Sequence, residues 1–211
     1  MTKRREDYLR SGKNNESRGQ SLLKIEFYIL SLRILFILAF ILTVDIPISF
    51  APDAKFIGVG PLIKRNWVAI ISLLMVFVSW IISLKLEYRF KGAHNPVAKI
   101  ISIKNENYEH LTFLTTYIIP LICINLGETR YVIVLVILLI IIGKIYVTMD
   151  LYLGNPTLAL QGYHLYRIEV NGFSSTDGIL VISKDKLSIG SSIKWIKITD
   201  SIWVVKENQT K

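Results

Sequence analysis

Val132-Ile133-Val134-Leu135-Val136-Ile137-Leu138-Leu139-Ile140-Ile141-Ile142 is an unbroken apolar run of eleven residues, and it decides the solvent in which this chain folds. No polar face survives in it, so it belongs in lipid rather than on a water-exposed helix. Extended to Tyr131–Leu153, it is long enough to cross roughly 30 Å of bilayer hydrocarbon at about 1.5 Å per residue. Working outward, the tight link Gly127-Glu128-Thr129-Arg130 joins it to an apolar stretch at Leu111–Leu126, which predicts an antiparallel helical hairpin. That stretch is short and carries Thr115, Thr116, Pro120 and Asn125, so it reads as a span or a re-entrant segment. Phe27–Phe50 and Trp67–Leu86 supply two further spans. The expected fold class is an all-α membrane protein: a four-transmembrane-helix bundle over residues 27–154, with a small domain after it.

Composition agrees with a membrane chain. Apolar residues make up 52% of the sequence and charged residues only 19%, against about 25% charged in soluble domains. The net charge of +9 raises the possibility of nucleic-acid binding. Its distribution favours orientation in a bilayer instead. Lys3, Arg4, Arg5, Arg10, Lys13, Arg18 and Lys24 precede the first span, and Lys85, Arg89, Lys91, Lys99 and Lys104 follow the second. Opposite them stand only Lys55, Lys64, Arg65 and Arg130. The asymmetry puts both ends and the middle loop in the cytoplasm. Residues 1–26 read as a basic, disordered cytoplasmic arm and contain no cleavable signal. The single cysteine, Cys123, excludes an intrachain disulfide framework.

Beyond Asn155 the period changes. Leu165–Val170, Ile179–Ser183, Lys186–Ile189, Ile193–Ile198 and Ile202–Lys206 are short β-rich runs, separated by turn signals such as Asn171-Gly172 and Thr176-Asp177-Gly178. Residues 155–211 are therefore expected to form a small cytoplasmic β-rich domain of the SH3-like or OB-like kind.

Catalytic chemistry is sought and not found. His94, His110 and His164 lie far apart with no metal-ligand spacing, and there is no phosphate-binding loop or nucleophile elbow. No catalytic, cofactor or metal residue is assigned, and no enzyme is expected. The intramembrane polar residues are Arg33, Asp45, Asn125 and Lys144. Arg33 can snorkel to the headgroups. Lys144 has three readings: snorkelling, an inter-helix or inter-subunit contact, or an ion pathway. Ser72, Ser79 and Ser83 read as close-packing positions, available to a homo-oligomer interface. The basic middle loop, with Lys85, Arg89, Lys91, Lys99 and Lys104, either lies on acidic lipid or docks a cytosolic protein. The tail has a weak positive charge, and direct nucleic-acid binding is not expected.

The last span runs through Tyr152-Leu153-Gly154-Asn155-Pro156 into Gly162-Tyr163-His164-Leu165-Tyr166 and the β tail. With the basic arm and the four spans, this layout resembles the KwaA family, the membrane subunit of the Kiwa anti-phage defence system. The resemblance implies a homo-oligomeric inner-membrane sensor, with four copies as the expectation. It implies work with KwaB, a cytosolic DNA-binding effector, and supplies no active-site residue. The leading expectation is a non-enzymatic sensor and scaffold. Its rivals are a small homo-oligomeric channel or transporter, with Lys144, Asn125 and Asp45 along a polar path, and an assembly factor for a larger membrane complex.

Overall fold

The computed structural model describes residues 21–46, 58–91, 97–123, 125–148, 154–172, 178–199 and 202–208. The basic arm up to residue 20, Lys55, Phe56 and Ile57 of the first loop, His94 and Asp150 lie outside the described residues.

The helices are α1 (Ser21–Thr43), α2 (Val59–Arg65), α3 (Trp67–Phe90), α4 (Tyr108–Cys123), α5 (Thr129–Thr148) and α6 (Pro156–Leu160). Helix α1 starts six residues before the expected first span and is interrupted at Leu32. It buries Leu23, Phe27, Leu30, Leu35 and Ala39, a helical stripe with spacings of three to five. Helix α3 meets it with Ala69, Ser72, Ser79 and Ser83, all buried. Small side chains let two helix backbones approach closely where the bilayer gives no hydrophobic drive. These serines are therefore used inside the chain, against α1, and do not face outward as an oligomer seam. On the other side of α1, a Cβ on Gly143 of α5 would stand 2.7 Å from the Tyr28 ring. The missing side chain admits Tyr28, whose hydroxyl donates to the Leu139 carbonyl at 2.5 Å.

Two expectations about fold class fail. Among the described residues three helices, not four, are long and apolar enough to cross a membrane: α1, α3 and α5. Helix α4 has sixteen residues with Pro120 inside, or about 24 Å of helix against roughly 30 Å of hydrocarbon. It stops at Cys123, and Asn125 bends the chain by accepting the Gly127 N–H at 3.0 Å. Nor is the chain an all-α bundle with a separate β tail. It contains a closed five-stranded barrel, β1 (Ala98–Asn105), β2 (His164–Val170), β3 (Ile179–Ser183), β4 (Ser192–Thr199) and β5 (Ile202–Glu207), ordered β1-β2-β3-β5-β4. Strand β1 comes from the middle loop, ahead of α4. Pairing is antiparallel except between β3 and β5, where Val181 stands opposite Trp203. Residues 186–189 form no strand.

Alternation along the strands builds two cores. Ile100, Ile168, Val170, Val181, Ile193, Trp203 and Val205 fill the barrel, and Trp195 stacks on Trp203 with centroids 4.1 Å apart. Leu165, Ile182, Ile202 and Val204 point the other way and join Phe27, Leu86, Phe90, Leu158 and Tyr163 in the helical core. One face of β2, β3 and β5 is thus shared with the helices, and barrel and helices form one packed body. At the far end of α1 and α3, Arg65 pairs with Asp45 at 2.5 Å, and Asn66 donates to the Asp45 carbonyl at 2.8 Å.

Candidate functional site

The feature that joins the long apolar helices to the barrel is α6 and its neighbours. Asn155 caps α6 by accepting the Thr157 and Leu158 N–H groups at 3.0 and 3.3 Å, and Pro156 occupies the first turn, where no N–H is needed. The same side chain donates through Nδ2 to the Phe27 carbonyl at 3.1 Å. Thr157 Oγ1 donates to the Leu30 carbonyl at 2.7 Å, and the Tyr117 hydroxyl to the Ser31 carbonyl at 3.2 Å. Three carbonyls of α1 thus receive side chains from α6 and α4 within the turn that precedes the break at Leu32. Side chains inserted at a helical ladder are a recognised cause of such breaks. Asn155 is fully buried and Thr157 nearly so. Gly154 is required for this approach, because a Cβ there would stand 2.7 Å from the Glu109 carbonyl oxygen, which is backbone and cannot move aside.

Beyond α6 the chain turns at Gly162 (φ +80°). Tyr163 then packs edge-on against Phe90 of α3 at 5.7 Å, and Gln161 Nε2 donates to Ser83 Oγ at 2.7 Å. A polar node lies beside it where β1 runs into α4. Asn107 Oδ1 accepts the Leu165 N–H at 2.7 Å, and Glu106 is gripped by Lys104 at 2.9 Å and Arg167 at 3.3 Å. Burial pushes the Glu106 carboxyl up, but the hydrogen bonds from Lys104 and Arg167 outweigh it and hold the group below its ordinary value. Lys104 is correspondingly held above its own.

The match to known proteins follows the extent of this body. The description "Anti-phage protein KwaA" matches residues 23–204, from the first turn of α1 into β5. A curated relative, "Kiwa protein KwaA" of Escherichia coli O55:H7, is 33% identical over 186 residues, covering 87% of this chain and 95% of the relative. The chain belongs to the KwaA family. No solved structure matches it.

KwaA membership thus takes in the long apolar helices, the junction and the barrel together. Within this KwaA-family fold the expected site residues scatter. Arg33 is engaged within the chain: its Nε donates to Ser79 Oγ at 2.9 Å and its Nη2 to the Ser79 carbonyl at 2.6 Å, tying α1 to α3. Asp45 belongs to the far-end clamp with Arg65, and Asn125 to the α4–α5 turn. Lys144 is exposed on α5, and its carbonyl accepts the Thr148 hydroxyl at 2.7 Å. Of the five basic residues expected to bind a partner, Lys85 and Arg89 both engage the buried Glu26 of α1, Arg89 at 3.6 Å. Lys104 holds Glu106. Only Lys91 and Lys99 stand exposed without a described partner. Sequence reasoning missed Asn155 and Thr157 as the residues that tie α6 to α1. Their signal was available: Asn-Pro followed by Thr is a helix start, although Gly154 and Pro156 read more readily as a helix end.

His110, 6% exposed at the start of α4, sits against this junction. Burial lowers its pKa to about 4, nearby His164 adds to the effect, and the Asn155 backbone opposes it. Neither ring nitrogen makes a hydrogen bond of normal geometry among the described residues. The folded state therefore resists a proton that the unfolded chain accepts near pH 6.5. The stabilisation from keeping His110 neutral is complete above pH 6.5 and is lost as pH falls from 6.5 towards 4. Thermal unfolding in detergent should show a loss of roughly 2–3 kcal/mol across that window. In His110→Phe the slope there should flatten. An unchanged slope would assign the pH dependence elsewhere.

Proposed function

We propose that this KwaA-family chain is a non-enzymatic membrane sensor and scaffold for anti-phage defence, whose barrel recruits a cytosolic effector. KwaB is the partner that family membership suggests. The observation that carries the reading is the α6 junction. Side chains from α6 and α4 grip three α1 carbonyls, and α6 leads directly into β2 of the barrel. A tilt or shift of α1 in the membrane would be transmitted to the barrel through buried hydrogen bonds rather than a loose linker. At the far end α2 exposes Val59 and Ile63, which suit an outer-leaflet surface. The clamp of Asp45, Arg65 and Asn66 links that surface back to α1 and α3.

The channel reading has less support. Arg33, Asp45 and Asn125 are each engaged locally and at different places, so they line no shared path among the described residues. Lys99 on β1 and Lys186 in the segment between β3 and β4 are exposed and suit partner recognition. Reversing both, Lys99→Glu with Lys186→Glu, is expected to reduce protection in a phage-plating assay by about tenfold or more, with the protein still present in membranes. Full protection by that variant would remove Lys99 and Lys186 from the partner site.

A further inference from the structure

A cleft of about 390 Å³ lies where the end of α3 meets the barrel. Phe90, Tyr163 and Val204 line it, with Lys91, Lys184 and Lys206 around them. Two carboxylates also line it, and both are engaged: Glu87 pairs with Lys184 at 3.6 Å, and Asp185 accepts the Glu207 N–H at 2.9 Å. Lys91 and Lys206 have no carboxylate partner among the described residues. Moreover, Lys206 stands directly opposite Lys194 in the β4–β5 ladder. Like charges at facing ladder positions are destabilising unless an anion lies between or beside them.

Depth identifies the anion. From Trp67 to Lys85, α3 covers about 27 Å, close to the hydrocarbon thickness. Lys91 lies about 9 Å further along, which is headgroup level. Tyr88, 83% exposed on the last turn of α3, is the kind of aromatic found at that interface. Burial and the Glu87 charge push the Tyr163 hydroxyl up to about 12, so it stays a neutral donor.

We propose that this cleft binds the phosphodiester headgroup of an anionic phospholipid. Lys91 and Lys206 supply the charge, and the aromatic floor packs against the glycerol. The site rests on the membrane insertion of α3 that the sensor reading assumes, and neither Lys99 nor Lys186 lines it. A basic recess at the end of a span is suited to an anionic lipid. An acidic peptide would have to approach past Glu87 and Asp185 at the membrane surface.

The test uses the full chain in nanodiscs of phosphatidylcholine with one-fifth phosphatidylglycerol, with retained lipid counted by native mass spectrometry. The wild type should keep phosphatidylglycerol in excess. Lys91→Gln with Lys206→Gln should reduce that retention about twenty-five-fold, at about fivefold per lysine. Lys99→Gln with Lys186→Gln, equal in charge, should leave it unchanged. Equal losses in both doubles would reduce the effect to general surface charge and overturn the site. Displacement of the lipid by glycerol phosphate or polyglutamate at matched concentration would overturn the assignment to lipid. Flotation with phosphatidylcholine vesicles checks insertion separately. A chain that floats but shows no preference refutes the cleft alone, whereas a chain that fails to float refutes the insertion beneath it.

Discussion

Asn155→Ala should lower the unfolding free energy by about 3 kcal/mol, one of the two largest single-residue effects expected. About 1 kcal/mol comes from the lost cap of α6, whose Thr157 and Leu158 N–H groups both use Asn155 Oδ1. About 2 kcal/mol more comes from stranding the buried Phe27 carbonyl, which accepts from Nδ2. Asn155→Ser separates the two contributions. It keeps a capping oxygen but is too short to reach Phe27, so it should retain α6 and lose the tie to α1. Denaturant unfolding in detergent gives the stabilities. If the Ser variant is as stable as the wild type, the link between α6 and α1 carries little energy and the coupling argument weakens.

The second large effect concerns a residue outside the tail that was expected to fold as the β domain. Ile100 is 2% exposed in the barrel core, on a strand that pairs with both β2 and β4. Ile100→Asp places an unpaired carboxylate there and should destabilise the barrel by at least about 4 kcal/mol. Loss of β1 exposes the edges of β2 and β4 and loosens the Trp195–Trp203 stack. Near-ultraviolet circular dichroism should therefore lose the contribution of the stacked Trp195–Trp203 pair, while that of Trp67 and Trp80 on α3 and the helical far-ultraviolet signal persist. For the same reason, a fragment holding only residues 155–211 should not form the closed barrel. A cooperatively folded fragment, or an Ile100→Asp protein with native tryptophan dichroism, would show that β1 is dispensable.

The helices were legible because apolar length is a strong signal: α1, α3 and α5 follow directly from runs such as Val132–Ile142. Helix α4 misled because its composition is apolar, although its sixteen residues are fewer than a span needs and lie three positions earlier than the apolar stretch that was read. Strand β1 was obscured by its charges. Lys99 and Lys104 count towards orientation, so the alternation of Ala98 and Ile100 with polar neighbours went unweighed, although it has the period of a half-buried strand. Arg33 misled for a different reason. Its acceptor, Ser79, is 46 residues away, and no local pattern announces a partner at that distance. Lys85 and Arg89 read as free docking charges because Glu26 was assigned to a disordered arm, whereas α1 begins five residues before it. The Asn155-Pro156 motif was noticed as a family feature, but its role depends on α1 carbonyls more than a hundred residues earlier.

The central claim is that the membrane-embedded chain holds a cytosolic effector through its barrel. Full-length protein in vesicles, mixed with purified KwaB and floated through a density gradient, tests it most directly. KwaB should rise with vesicles carrying the wild type, and remain at the bottom with empty vesicles and with the Lys99→Glu, Lys186→Glu variant. KwaB left at the bottom with wild-type vesicles that conduct ions would contradict the scaffold and favour the channel.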